Sequence, residues 1–144
     1  MATRHQVRQC VVSLLYAKEM GSEMEHFSDD FLEEKKIRND QKSFTISLYN
    51  GILENLSSID EQLDNYLGKW KIGEIGSVER QILRLGAYEM RYSDIDLAIA
   101  INEAVILANE LASESSIKLI NGVLDAIAKD KSEALYRIRY GAKR

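Results

Sequence analysis

Two apolar stretches decide the fold of this chain: IGSVERQILRLGAYEMRY at residues 75–92 and LAIAINEAVILANEL at residues 97–111. In the first stretch apolar residues recur three or four positions apart, which is the spacing of one helical face. The residues with this spacing are Ile75, Val78, Ile82, Leu85 and Tyr88, and Leu83, Ala87 and Met90 widen the stripe. More than half of this helix is therefore apolar, so other helices must cover it on several sides.

The rest of the chain has the pattern of amphipathic helices that could provide this cover. Apolar spacing and capping residues predict helix starts near Thr3, Ser22, Asp40, Ser58, Ser93 or Asp94, and Ser113. The chain has no proline, and no segment alternates apolar and polar residues over the length of a half-buried strand. We therefore predict an all-α fold in which the glycine-dense segment LGKWKIGEIGS, residues 67–77, joins two halves.

Length and composition favour a single cytoplasmic domain. The chain has 144 residues, of which 45% are hydrophobic, and this is enough for a sizeable core. We find neither the run of 18 or more apolar residues typical of a membrane span nor the apolar region of a signal peptide, so we expect no membrane contact. The single cysteine, Cys10, lies on an apolar helical face, which predicts a buried thiol.

Charge is distributed unevenly along the chain. The net charge is −4, yet residues 1–18 contain three basic and no acidic residues, and residues 135–144 contain four basic and no acidic residues. The remainder therefore has a net charge of −11. Bulk acidity argues against indiscriminate nucleic-acid binding, whereas clustered arginines allow a local phosphate site.

Arg4, His5 and Arg8 lie in the first two turns of the predicted first helix, where the helix macrodipole disfavours cations. The free amides at a helix start also attract anions. These three residues therefore predict a site for RNA phosphates, with a solvated helix start as the alternative.

We find no catalytic or metal-binding pattern in the sequence. His5 and His26 have no ligand-spaced cysteines or carboxylates around them, and there is no phosphate-binding glycine loop or nucleophile motif. Arg84 and Glu103 could meet between neighbouring helices, and we interpret them as a buried structural pair. The residues alone thus predict a helical binding protein without metal or cofactor, and they do not identify its partner.

Four blocks of sequence are more specific. They are RHQVRQCVVSLLYAKEM at residues 4–20, VERQILRLGAYEM at 78–90, AIAINEAVILANEL at 98–111 and SIKLINGVLDAIA at 116–128. In this order and at this spacing they closely resemble the family of the bacterial transcription antitermination factor NusB. The resemblance implies about seven helices in two packed bundles, no enzymatic activity, and a single RNA-binding domain over residues 1–131.

The resemblance also implies partners. It predicts binding to the boxA element of nascent RNA together with the small-ribosomal-subunit protein NusE, in the transcription elongation complex, during antitermination and ribosomal RNA synthesis. Because some family members self-associate, a homodimer and a purely structural dimerisation module stay open. A related helical domain precedes the catalytic domain of some RNA cytosine methyltransferases, so a regulatory domain is the remaining alternative, although the sequence has no cofactor domain.

The resemblance implies site residues wherever this chain matches a functional position of the family. The family's arginine-rich N-terminus matches Arg4, His5 and Arg8, with fewer arginines than in some members. The family's aromatic residue late in the first helix matches Tyr16, and its acid at the start of the central helix matches Glu79. The resemblance places these two near the NusE and RNA surface.

The resemblance also implies RNA contacts in the loop and helix start before INGVLD. The matching residues are Ser113, Glu114, Ser115, Lys118 and Leu119. An acidic residue is frequent in the family where this chain has Ser115, and an aromatic where it has Leu119. These differences could remove one repulsion of phosphate and one stacking surface.

Residues 132–144 lie beyond the resemblance and form a basic tail. Aromatic and basic residues interleave there, at Tyr136, Arg137, Arg139, Tyr140, Lys143 and Arg144. This pattern suits base stacking and phosphate contacts, with a solvated tail as the alternative.

Overall fold

The fold, given by a computed structural model, consists of α-helices. The structure describes residues 2–141, without the side chain of Tyr140. The helices are α1 (Arg4–Glu19), α2 (Met24–Glu34), α3 (Asn39–Glu54), α4 (Leu56–Asp64), α5 (Ser77–Tyr92), α6 (Leu97–Leu111) and α7 (Glu114–Tyr140). A 3₁₀ turn, Ile72–Glu74, lies between α4 and α5. Seven helices and no strand over this range confirm the predicted all-α class. No helix in it is long and apolar enough to cross a membrane.

Helix α5 is the centre of the fold, and it contacts α1, α3, α4, α6 and α7. Its apolar stripe is almost fully covered, since Ile82, Leu83, Leu85 and Met90 are each at most 2% exposed. The prediction that this helix is covered on several sides is therefore confirmed. Cys10 of α1 is also buried, as predicted, and burial raises the pKa of its thiol.

Two glycines allow other helices to approach α5 closely. A Cβ on Gly86 of α5 would lie only 2.8 Å from a methyl carbon of Leu124 in α7. A Cβ on Gly51 of α3 would collide with the hydroxyl of Tyr88. Side-chain volume at either position would have to displace a packed neighbour, so these glycines fix the helix spacing.

Helix starts follow the predictions at some positions and differ at others. Thr3 caps α1 with the predicted capping box, in which the amide of Gln6 donates to Thr3 Oγ1 at 3.1 Å. Helix α3 starts after Arg38 rather than at Asp40, and the carboxylate of Asp96 caps α6 in place of Ser93 or Asp94. Helix α4 begins directly after Asn55, because the amide of Ile59 already bonds to the Asn55 carbonyl.

The predicted pairing of Arg84 with Glu103 is wrong. Arg84 Nε and Nη2 donate to the two carboxylate oxygens of Asp60 in α4, at 2.9 and 2.8 Å. Glu103 instead accepts a hydrogen bond from His5. Arg84 Nη1 also lies 3.8 Å from Glu19 Oε1 at the end of α1, whereas Glu103 contacts His5 near the start of α1.

The glycine-dense connection between α4 and α5 is tied to α5. The guanidinium of Arg80 donates to the carbonyl oxygens of Ile72 at 2.9 Å and Ile75 at 2.8 Å. It also forms an ion pair with Glu19 of α1. The segment predicted as a joint between two halves is therefore anchored to two helices.

Helix α7 continues past the end of α5. Lys131 Nζ donates to the carbonyl of Met90 near the last turn of α5, and the hydroxyl of Tyr66 donates to Asp130 at 2.6 Å. Beyond this point Leu135 and Ile138 are 56% and 82% exposed. The predicted boundary between residues 131 and 132 thus falls inside α7, whereas Lys143 and Arg144 of the predicted tail lie outside the described residues.

Candidate nucleic-acid and protein interface

Helix α1 and the start of α5 enclose an apolar cleft with the end of α6. The cleft has a volume of about 390 Å³, and its lining includes Val12, Tyr16, Met20, Phe27, Val78 and Leu111. We call this cleft the apolar groove. Tyr16, Met20, Phe27 and Leu111 are between 38% and 54% exposed. Contiguous exposed apolar side chains typically mark a contact surface for another molecule.

Tyr16 occupies the apolar groove at the position where the sequence predicts a partner contact. Its ring is 41% exposed, although neighbouring residues of α1 such as Leu15 are buried. Such a tyrosine offers a large apolar contact with a hydrogen-bonding hydroxyl. Met20 and Phe27, which sequence reasoning did not single out, extend this surface toward α2.

Glu79 lies in the first turn of α5, next to Val78 of the apolar groove. Its carboxylate accepts a hydrogen bond from Ser116 Oγ at 3.1 Å. The Ser116 hydroxyl is in turn 3.1 Å from that of Ser113, which is 3.0 Å from that of Ser115. A chain of hydroxyl groups therefore connects Glu79 with the loop between α6 and α7.

The start of α7 presents most of its predicted contact residues to solvent. Ser113, Glu114, Ser115 and Lys118 are exposed, whereas Leu119 is half-buried and packs against the core. No side chain caps the helix, so its first amides are available to an anion. The exposed serine hydroxyls and Lys118 are suitable donors for phosphate oxygens.

His5 connects α1 with α6. Its Nδ1 is 2.8 Å from Glu103 Oε2, and its Nε2 is 2.5 Å from Glu110 Oε1. Burial alone would lower the pKa of His5, but the hydrogen bonds and charges of the two glutamates raise it above 6.5. Glu110 also accepts a hydrogen bond from Gln9 at 3.3 Å. His5 is therefore already bound by two carboxylates at the surface where RNA contact is predicted.

Arg8, which the sequence predicts as part of a phosphate site, is not presented to solvent. The residue is 7% exposed, and its Nε and Nη2 each donate at 2.8 Å to a carboxylate oxygen of Glu89 in α5. This bidentate pair uses the guanidinium edge that would otherwise hold a phosphate. The prediction of a direct phosphate contact at Arg8 does not fit this geometry.

Arg4 is exposed and turns toward α3. Its guanidinium carbon lies 3.9 Å from the ring centroid of Phe44, which is the geometry of a cation–π contact. A planar guanidinium stacked in this way keeps its N–H groups available at its edge. Arg4 and Arg8 thus contact different elements, since Arg4 packs on α3 and Arg8 pairs with α5.

Comparisons with known proteins agree with this architecture. The chain is 74% identical over 129 residues to the transcription antitermination protein NusB of Campylobacter fetus subsp. fetus, covering 90% of this chain and 98% of that protein. It is 60% identical over 131 residues to the protein of the same name from Campylobacter jejuni strain RM1221, covering 91% of this chain and 99% of that protein.

Solved structures of NusB proteins also have a similar fold. NusB of T. maritima superposes with a TM-score of 0.81 at 34% identity, covering 90% of this chain and 94% of that chain. A chain from a crystal structure of the antitermination factors NusB and NusE in complex with double-stranded RNA superposes with a TM-score of 0.77 at 29% identity, covering 88% of this chain and 96% of that one. The family model described as NusB family matches residues 5–129. This chain therefore belongs to the NusB family.

Proposed function

We propose that this protein is a transcription antitermination factor that binds boxA RNA together with NusE, in the elongation complex that synthesises ribosomal RNA. Membership of the NusB family supports the antitermination role. The related structure that holds NusB, NusE and double-stranded RNA supports RNA and NusE as the partners. The role is one of binding and assembly, and it requires no catalytic step.

The apolar groove around Tyr16 is the observation that carries this proposal. An exposed tyrosine surrounded by Met20, Phe27 and Leu111 has the composition of an interface centre. The polar start of α7 and the half-buried carboxylate of Glu79 border it and supply hydrogen-bonding groups. We assign the groove and Glu79 to NusE.

RNA then binds beside the groove. Ser113, Ser115 and Lys118 provide hydroxyl donors and a positive charge at the helix start, and half-buried Leu119 contributes apolar contact to a base. Arg4 and His5 extend the contact along α1. His5 contacts Glu110, which directly precedes Leu111 of the apolar groove, so His5 lies close to the groove.

Binding of a fluorescently labelled boxA RNA, measured by anisotropy with and without NusE, tests the proposal. We expect NusE to raise the RNA affinity of this protein. Tyr16→Ala should weaken NusE binding by about 2 kcal/mol, which is roughly 30-fold, while changing the free energy of unfolding little because the ring is exposed.

Tyr92→Ala is the matched control, because Tyr92 is 43% exposed but lies at the other end of α5. It should leave NusE affinity unchanged. Equal NusE affinity for wild type and Tyr16→Ala would show that the groove is not the NusE site. Absence of boxA binding by the wild-type protein with NusE present would contradict the function itself.

A further inference from the structure

A second cleft lies beside the start of α1, and its lining shares no residue with that of the apolar groove. Its volume is about 630 Å³, and its lining includes Gln6, Lys35, Lys36, Arg38, Asp40 and Gln41. We call it the basic cleft. The side-chain amide of Gln41 donates to the carbonyl of Ala2, and this bond joins α3 to the chain just before α1. The cleft is thus built by two helix starts and the loop between α2 and α3.

The charge of the basic cleft differs from that of the chain as a whole. Three cations and one carboxylate line it, although the whole chain has a net charge of −4. Arg38 is partly neutralised by Glu33, at 2.7 Å. Lys35 and Lys36 are exposed, and neither forms an ion pair with a carboxylate of residues 2–141. Two cations are therefore available to an anionic ligand.

Lys36 has a backbone conformation that glycine adopts more readily than other residues do. Its φ is +58°, in the left-handed region. The amide of Ile37 donates to the carbonyl of Leu32, and that of Lys36 to the carbonyl of Glu33, which together form a Schellman helix end. Glycine is the usual residue at this point of the motif, because it has no Cβ. The backbone conformation therefore does not favour a lysine here, whereas its positive charge suits the C-terminal end of α2.

Arg4 connects the basic cleft to the proposed RNA surface. It follows Thr3 at the start of α1, and its guanidinium stacks on Phe44 of α3, the helix that forms the opposite wall. The first amides of α3 are also uncapped by any side chain. A phosphate backbone that contacts Arg4 therefore lies beside the part of the cleft that Ala2 and Gln41 line.

We propose that the basic cleft binds the sugar–phosphate backbone of single-stranded RNA, as a continuation of the path that starts at the beginning of α7 and passes Arg4. The contacts are to phosphate, so they add affinity for nucleotides flanking the recognised element without reading their sequence. This inference rests on the proposed RNA-binding function and extends it to a separate part of the surface.

Salt dependence of RNA binding tests the basic cleft directly. The probes are a short RNA limited to boxA and a longer RNA with flanking nucleotides on both sides, each in the presence of NusE. For the longer RNA, Lys35→Gln with Lys36→Gln should reduce affinity on the order of tenfold near physiological salt and flatten the salt slope by about 1.4, which corresponds to two phosphate contacts. The short RNA should bind to this variant as it does to wild type.

Three further variants separate an RNA contact from a structural role. Lys69→Gln with Lys129→Gln removes the same charge outside the cleft and should leave the salt slope for the longer RNA unchanged. Lys36→Gly should keep or raise the thermal stability, because the left-handed backbone suits glycine, and still lose roughly threefold in affinity. Asp40→Asn removes the one carboxylate of the lining and should raise affinity.

The possible failures are distinguishable. If the wild-type protein with NusE binds neither RNA, both the proposed function and the basic cleft are overturned. If wild type binds the longer RNA and the Lys35→Gln, Lys36→Gln variant binds it with the same slope and affinity, the basic cleft alone is overturned and the proposed function stands.

Discussion

Arg8 of α1 and Glu89 of α5 form a buried bidentate ion pair, with both N–H···O distances at 2.8 Å. The two side chains are 9% and 5% exposed, so little solvent screens the pair. The hydrogen bonds that Arg8 donates to Glu89 outweigh burial and raise the pKa of the Arg8 guanidinium, which stays charged. The pair therefore fixes how the first helix lies on the central one.

Removing one partner of this pair should destabilise the protein strongly. Arg8→Ala leaves the Glu89 carboxylate buried without a counter-charge, and the expected loss in the free energy of unfolding is about 3–5 kcal/mol. Urea denaturation followed by circular dichroism measures it. The double variant Arg8→Met, Glu89→Leu should recover most of the loss, because it leaves no unpaired buried charge. A single variant as stable as wild type would show that the pair does not order α1.

The central helix can be predicted from the sequence, whereas the partner of Arg8 cannot. Apolar spacing identified the central helix and its neighbours, because burial of one helical face leaves a local, periodic pattern. The partner of Arg8 lies 81 positions away, and no local pattern connects the two. From spacing alone, Arg4 and Arg8 share a helix face, yet α3 and α5 approach that face from different directions.

Electrostatic partners across helices were the least predictable part of the candidate site. The sequence offers Glu103 as the partner of Arg84, but the structure pairs Arg84 with Asp60 of α4. No local pattern connects Glu103 or Glu110 with His5, since 98 and 105 positions separate them from it. Tyr16 was placed by family resemblance, and its exposure could not be inferred from periodicity, because the neighbouring positions of α1 are apolar as well.

His5 should make the stability of the protein depend on pH. Its pKa is raised in the folded protein by Glu103 and Glu110, although burial opposes this. Folding therefore favours the protonated form of His5. The stabilisation that His5 contributes is complete below its ordinary pKa of 6.5 and disappears as the pH rises through the raised pKa.

The difference in unfolding free energy between wild type and His5→Gln should accordingly shrink as the pH rises above 6.5. Denaturant titrations at several pH values measure this difference. In a background of Glu103→Gln with Glu110→Gln this decrease should be lost, and burial alone should leave a weak dependence of opposite sign. A difference that grows with pH would contradict the assigned direction of the pKa shift.

Gly51 should tolerate no side chain. Alanine favours a helix over glycine by about 1 kcal/mol, but a Cβ on Gly51 collides with Tyr88. We expect Gly51→Ala to lower the free energy of unfolding by about 1–3 kcal/mol through overpacking between α3 and α5. Thermal denaturation provides the measurement.

Gly122→Ala in α7 is the matched control, since no atom lies within 4 Å of the added Cβ. It should stabilise the protein by about 0.5–1 kcal/mol, as expected for glycine replacement inside an exposed helix. Stabilisation by both substitutions would mean that the helices can separate at Gly51 without cost.

Deletion of residues 136–144 tests whether the basic end of the chain contributes to RNA binding. Arg137 and Arg139 are exposed on the last turns of α7, beyond the contact of Lys131 with Met90 that ties this helix to α5. The folded body should therefore keep its stability. We expect a modest loss of affinity for boxA RNA at low salt, with the salt slope flattened by about 0.7 for each lost phosphate contact. Arg137→Gln with Arg139→Gln should reproduce the change in salt slope if charge is responsible. If the truncated protein binds RNA as tightly as the full chain below physiological ionic strength, a contact at this end is excluded.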